Sequence, residues 1–199
     1  MYDDILLPFD GSQGAKSALG HAAELAEWAD ADITLLYVAD TTQHSVTVVE
    51  GEVIDVLERE GEDIVAEGAD LVDGLGVSHD TDVVQGNPAP TIVEYAERYG
   101  YDLIVMPTHG REGISRYLLG SVSEKVVRLS PTPVLTTRMQ PDERHEFPYR
   151  NVLIPTDGSS GAQRAGKHGL SLAASLHATV HVLPVIDETG LGADVRSAL

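Results

Sequence analysis

The chain has 199 residues, of which 42% are hydrophobic and none is cysteine, so it can bury a core but cannot form disulfide bonds or thiolate metal sites. Its apolar runs fall short of the ~20 residues of a membrane span, and its first residues lack a secretory signal, so we expect a soluble, cytoplasmic protein without a membrane partner. The formal charge of −19, from 32 acidic and 13 basic residues, repels phosphate backbones and argues against a nucleic-acid partner.

The first predicted elements are a strand, a helix and a second strand. Residues 5–9 form a short apolar run that is typical of a buried strand. Ser12 has the side chain of a helix N-cap, and the alanines and leucines that follow it keep the spacing of a buried helical stripe. Residues 33–38 then predict the second strand.

The later elements continue the same alternation of helices and strands. The pattern predicts an acidic helix over 52–75, a strand over 81–84, a helix over 89–99, a strand over 103–106, a helix over 118–129 and a strand over 134–137. Five strands and four helices in strict alternation predict an α/β fold with a doubly wound, Rossmann-like five-stranded parallel sheet.

An internal repeat follows this first domain, which we place at residues 1–138. Aligned without a gap, residues 4–42 and 151–189 share 16 identities in 39 positions. We therefore expect a linker over 139–149, which is rich in proline, charge and histidine, and a partial second copy over 150–199 that contains a first strand, a helix and a second strand.

The ends of three predicted strands carry the residues with binding chemistry. In doubly wound sheets, ligands bind beyond the carboxyl ends of the strands, where the strand order reverses. The segments at these ends are residues 8–12, 38–40 and 107–110.

The most specific of these patterns is Gly110, nine residues, and then Gly120 and Ser121 at the predicted start of a helix. Glycine lets backbone N–H groups approach phosphate oxygens, and a helix N-terminus adds free donors and a favourable dipole. The simpler reading is that Gly110 turns the chain after a strand and that Ser121 caps a helix.

Together these residues resemble the universal stress protein family, whose signature is a Gly, two residues, Gly, nine residues, Gly and Ser or Thr. The resemblance covers nearly the whole chain and includes Pro8, Asp10, Ser12 and the strand end at 36–40. It implies the adenine nucleotide α-hydrolase-like fold and an ATP-binding site. The expected nucleotide-binding residues are Asp10, Gly11, Ser12, Val38, Thr108, His109, Gly110, Arg111, Gly120, Ser121 and Val122.

The resemblance also implies a role for each group. The Asp10 carboxylate would accept hydrogen bonds from the ribose hydroxyls, and the backbone at Val38 would form hydrogen bonds with the adenine edge. Gly110, Gly120 and Ser121 would hold the phosphates.

One position departs from the signature, because Pro107 stands where the family has its first glycine. Proline has no N–H, so a phosphate contact through that nitrogen is lost. Thr108, His109 or Arg111 could supply the missing donor.

Three functions from different classes follow. The leading one is a stress-response regulator that binds ATP, or AMP or ADP, with Mg²⁺, without catalytic residues or a protein metal site. The others are a weak ATP hydrolase and a dimerisation module without nucleotide. We expect a homodimer through the strand at 134–137 and an unidentified regulatory protein partner.

The dispersed acidic residues and the presence of only three lysines are typical of proteins from salt-loving organisms, where salt screens self-repulsion. An ordinary acidic protein is the alternative, and the nucleotide prediction does not depend on the choice.

Overall fold

The computed structural model describes residues 1–41, 52–108, 120–137 and 147–186, with the backbone alone at 52–57. The chain divides into two compact units, Met1–His145 and Glu146–Leu199. Each unit is described by itself below as the first unit and the second unit.

The first unit is a five-stranded parallel sheet with helices on both faces, which confirms the predicted α/β fold. The strand order is β3-β2-β1-β4-β5, so the chain reverses direction across the sheet between β1 and β4. The strands are β1 (Asp4–Pro8), β2 (Asp32–Asp40), β3 (His79–Gly86), β4 (Leu103–Pro107) and β5 (Val134–Thr137), and the helices are α1 (Gln13–Ala29), α2 (Glu52–Asp73), α3 (Pro88–Tyr99) and α4 (Ser121–Leu129).

Strand pairing moves two boundaries away from their predicted positions. β2 was predicted to end at Val38 but continues to Asp40, and β3 has eight residues where four were predicted. Val38 pairs with Val84, and Asp40 pairs with Gly86. The ladder between β2 and β3 therefore extends both strands beyond their apolar runs.

Two layers of helices cover the sheet of the first unit. On one face, Leu6, Leu36 and Ile104 are fully buried in a cluster with apolar residues of α3 and α4. On α2, Gly61 and Gly68 lie so close to Tyr37 and Phe9 that an added Cβ atom would stand within 3.0 Å of a ring carbon. The two glycines allow α2 to approach the sheet closely.

The second unit repeats the beginning of this fold. It contains β6 (Asn151–Thr156), α5 (Ser160–Ser175) and β7 (Thr179–Pro184), and the two strands form a parallel sheet. Ile154 is buried under Gly166 and Gly169 of α5. Among the described residues of the chain, no helix is long and apolar enough to cross a membrane.

Candidate functional site

The candidate site lies at the carboxyl ends of β1, β2 and β4. β1 pairs with β4 only from Ile5–Leu103 to Leu6–Ile104, so the ladder between these strands stops before either strand ends. Beyond this point β1 leads into the turn before α1, and β4 continues to Thr108. A crevice at this position is where doubly wound sheets bind ligands.

Asp10 sits in a tight turn between β1 and α1. Its Oδ1 accepts the backbone N–H of Ser12 at 3.0 Å, and the Ser12 Oγ accepts the N–H of Ala15 at 3.0 Å. Gly11 has a φ of 73°, a left-handed conformation that favours glycine. The sequence predicted this N-cap, and the turn holds the half-buried Asp10 carboxylate at the crevice.

Val38 contributes its backbone to the same crevice. The Phe9 N–H donates to the Leu36 carbonyl at 2.8 Å, after the last β1–β2 pair at Pro8–Leu36. Alternate residues of a parallel strand face the same neighbour, so Val38 is the next β2 residue oriented towards β1. Its carbonyl therefore faces the position beyond the end of β1, on the side of the Asp10 turn.

The start of α4 is tied directly to the end of β4. The Thr108 carbonyl accepts the Gly120 N–H at 2.6 Å, and the Thr108 N–H donates to the Thr137 carbonyl at 2.9 Å. Gly120 is the N-cap of α4 and provides no side-chain cap, while Ser121 is the exposed first helical residue. The first N–H groups of α4 are thus at the carboxyl edge of the sheet, where they suit an anion.

The sequence reading missed Ser123, which fixes this arrangement. Ser123 is buried, and its Oγ donates to the Pro107 carbonyl at 2.8 Å. This bond joins the first turn of α4 to the last residue of β4. The sequence shows a serine two residues after Ser121, but it does not show that the hydroxyl of this serine points towards the end of β4.

Val122 is half-buried and packs against the core cluster, so its side chain supports α4 from the sheet side.

Pro107 is accommodated because of the direction in which its nitrogen points. Ile104 donates its N–H to the Pro133 carbonyl, directly before β5, and Thr108 donates its N–H to the Thr137 carbonyl at the end of β5. Backbone groups alternate in direction along a strand, so the odd-numbered residues of β4, including Pro107, face β1. The β1 ladder has already ended there. Proline therefore costs no hydrogen bond to β5, but it removes a donor that would have faced the crevice.

The described part of the chain thus brings together Asp10, Gly11, Ser12, Val38, Thr108, Gly120, Ser121 and Val122 at one edge of the sheet. The other expected binding residues, His109, Gly110 and Arg111, lie outside the described residues.

The second unit repeats the turn after β1. Asp157 Oδ1 accepts the Ser159 N–H at 2.9 Å, the Ser159 Oγ accepts the Ala162 N–H at 3.1 Å, and Gly158 has a φ of 80°. The hydrogen bonds of Ser159 lower the pKa of the exposed Asp157 below its usual value. Two turns of the same geometry therefore exist in the chain.

Comparison with known proteins assigns both units to one family. The model of the Universal stress protein family matches residues 1–138 and again 148–197. Universal stress protein MJ0531 of Methanocaldococcus jannaschii is 36% identical over 141 residues, which cover 69% of this chain and 83% of the relative.

Solved structures of universal stress proteins share the fold. A structure from Archaeoglobus fulgidus matches 98% of this chain and 71% of its own, at 25% identity and a TM-score of 0.75. A universal stress protein solved in complex with cAMP matches 68% of this chain and 97% of its own, at 26% identity and a TM-score of 0.55.

Proposed function

Because the chain belongs to the universal stress protein family, we propose that its first unit binds an adenine nucleotide, ATP above all, at the crevice between β1 and β4 and acts as a regulator in a stress response. The observation that carries this proposal is the position of the Asp10 turn, the Val38 carbonyl and the α4 N-terminus at one edge of the sheet. The cAMP complex of a related protein supports an adenine nucleotide as the ligand.

Each end of the nucleotide has a matching group in this proposal. The Asp10 carboxylate accepts hydrogen bonds from the ribose hydroxyls, and the Val38 backbone bonds the adenine edge. The N–H groups at the start of α4 and the Ser121 hydroxyl donate to phosphate oxygens. Among the described residues, no group of three His, Asp or Glu could hold a metal ion, so Mg²⁺ would be held mainly by the phosphates.

The test is a calorimetric titration of ATP with Mg²⁺ into the full chain and into Asp10→Asn. Asparagine keeps an oxygen that accepts the Ser12 N–H, so the turn survives, but it removes the charge that strengthens the ribose bonds. We expect the Kd to rise about tenfold, which corresponds to about 1.4 kcal/mol.

Asp157→Asn is the matched control, because it changes the same turn in the second unit. It should leave the Kd unchanged. Absence of saturable binding by the unchanged chain would refute nucleotide binding. Equal effects of the two variants would refute the assignment of Asp10.

Pro107→Gly tests the departure from the family signature. Restoring an N–H that faces the crevice should lower the Kd for ATP by about tenfold, since a hydrogen bond to a charged group contributes about 1.5 kcal/mol or more. The flexible glycine should also lower the thermal stability. If titration shows an unchanged Kd for this variant, the nitrogen at position 107 does not face the phosphates.

The second candidate function is dimerisation without nucleotide, which the missing Pro107 donor favours. β5 is an edge strand of the five-stranded sheet, and its outer side could pair with the same strand of another copy. A chain that forms the same dimer with and without ATP and binds none would support this function.

A further inference from the structure

The hydroxyl of Ser123 binds a backbone carbonyl that faces the crevice. In a parallel strand the nitrogen and the carbonyl of one residue point to the same side, so the Pro107 carbonyl is directed towards β1, beyond the end of the β1–β4 ladder. The Oγ of Ser123 donates to this carbonyl at 2.8 Å, and Ser123 is only 3% exposed, so the bond satisfies a buried hydroxyl. The first turn of α4 therefore lies on the crevice side of β4.

A second hydrogen bond holds the same turn. The Gly120 N–H donates to the Thr108 carbonyl at 2.6 Å, so the consecutive carbonyls of Pro107 and Thr108 bind the two ends of one helical turn. The Gly120 bond joins two backbone groups, whereas the Ser123 bond depends on one side-chain hydroxyl. Ser123 is thus a position at which a substitution removes one of the two anchors.

The held turn carries N–H groups that the helix itself does not use. The first bond within α4 runs from the Glu124 N–H to the Gly120 carbonyl at 2.9 Å, so residues 121–123 have no acceptor in the helix for their N–H groups. Three neighbouring N–H groups at a helix N-terminus suit the oxygens of one phosphate group, and they bind it best when their directions are fixed in advance. The two bonds to the end of β4 fix these directions.

The Ser123 bond also covers an acceptor that would repel a phosphate. A carbonyl oxygen carries partial negative charge, and the oxygen of Pro107 is directed towards the crevice. With the hydroxyl in place, this oxygen accepts a hydrogen. Without it, the oxygen would face the ligand, and it would repel a charged phosphate but not a neutral nucleoside.

From these contacts we infer that Ser123 is a positioning residue that makes the crevice select phosphorylated ligands over free nucleosides. It orients the N–H groups of α4 and covers the Pro107 carbonyl. The inference rests on the proposed nucleotide binding and adds the residue on which the phosphate half of the site depends. The nucleoside half is built separately, because the Asp10 turn is held by hydrogen bonds within residues 10–15.

The test compares ATP with Mg²⁺ and adenosine as ligands of the full chain and of Ser123→Ala. Titration calorimetry measures the Kd for ATP, and an NMR titration measures the Kd for the weaker ligand, adenosine. The Kd for ATP should rise about tenfold, because the donors to a charged group lose their fixed directions. The Kd for adenosine should change less than about twofold.

Ser130→Ala is the matched control at the other end of α4. The Oγ of Ser130 donates to the Thr132 carbonyl at 2.8 Å, so this variant loses a bond of the same kind and length. It should leave both Kd values unchanged. Each variant should lower the Tm by no more than about 4 °C, so that the affinities are compared between folded proteins.

Amide hydrogen exchange tests the anchoring without any ligand. The N–H groups of Gly120 and Glu124 should exchange about tenfold faster in Ser123→Ala, because the turn opens more often when one of its two anchors is lost. Their exchange should not change in Ser130→Ala. Unchanged exchange in Ser123→Ala would show that the turn needs no side-chain anchor, and it would overturn the inference.

The binding data separate this inference from the proposed function. If Ser123→Ala loses equal affinity for ATP and adenosine, or if its Kd for ATP is unchanged, the inference is wrong while nucleotide binding stands. If the unchanged chain binds neither ligand, the proposed function is wrong and the inference falls with it.

Discussion

Replacing Gly120 by aspartate should abolish tight nucleotide binding without destabilising the protein. Gly120 has φ −59° and ψ 153°, which any residue can adopt, and it occupies the N-cap of α4 without a side-chain cap. Aspartate is among the best N-cap residues and interacts favourably with the helix dipole. The same carboxylate, however, would stand where the phosphates are proposed to bind.

We expect a rise of at least about a hundredfold in the Kd for ATP, which corresponds to about 2.7 kcal/mol, together with an unchanged or higher Tm. Titration calorimetry and thermal unfolding measure the two effects separately. Gly120→Asn is the control, since asparagine caps equally well and has the same shape but no charge. Its Kd should rise by less than about tenfold. Equal losses in both variants would point to a steric effect and not to repulsion of phosphate.

Gly68→Ala should destabilise the protein although it adds only one methyl group. A Cβ atom at this position would lie 2.9 Å from Cε1 of Phe9 and 3.0 Å from Cδ1 of Leu35, and both side chains are fully buried. Alanine favours the helix by about 1 kcal/mol, but overpacking a rigid core typically costs 1–3 kcal/mol. We expect a net loss of about 1 kcal/mol and a Tm lower by about 2–4 °C.

The displacement should also reach the site, because Phe9 directly precedes Asp10, and ATP should bind more weakly. Gly20→Ala in α1 is the matched control, since a Cβ atom there would meet no heavy atom within 4 Å. This variant should gain about 1 kcal/mol from helix propensity. A Gly68→Ala protein that unfolds at or above the Tm of the unchanged chain would show that α2 moves outward at little cost.

Local sequence determined the order of the elements and the turn at Asp10. Apolar periodicity depends on near neighbours in the chain, so it predicted the four helices and five strands that the described residues of the first unit form. The turn and N-cap at Asp10 and Ser12 are also local, because they join residues two and three positions apart. The same local pattern, Asp157, Gly158 and Ser159, forms the same turn in the second unit.

Only the tertiary structure decided which of these parts meet. The extension of β2 to Asp40 depends on pairing with β3, about 45 residues away. The direction of the Pro107 nitrogen depends on where the β1–β4 ladder stops, and the role of Ser123 depends on a bond to the end of β4. The sequence likewise contained Leu6 and Leu153 in equivalent positions, and only packing made one of them core and the other surface. Burial depends on which elements cover a residue, and apolar periodicity does not specify those elements.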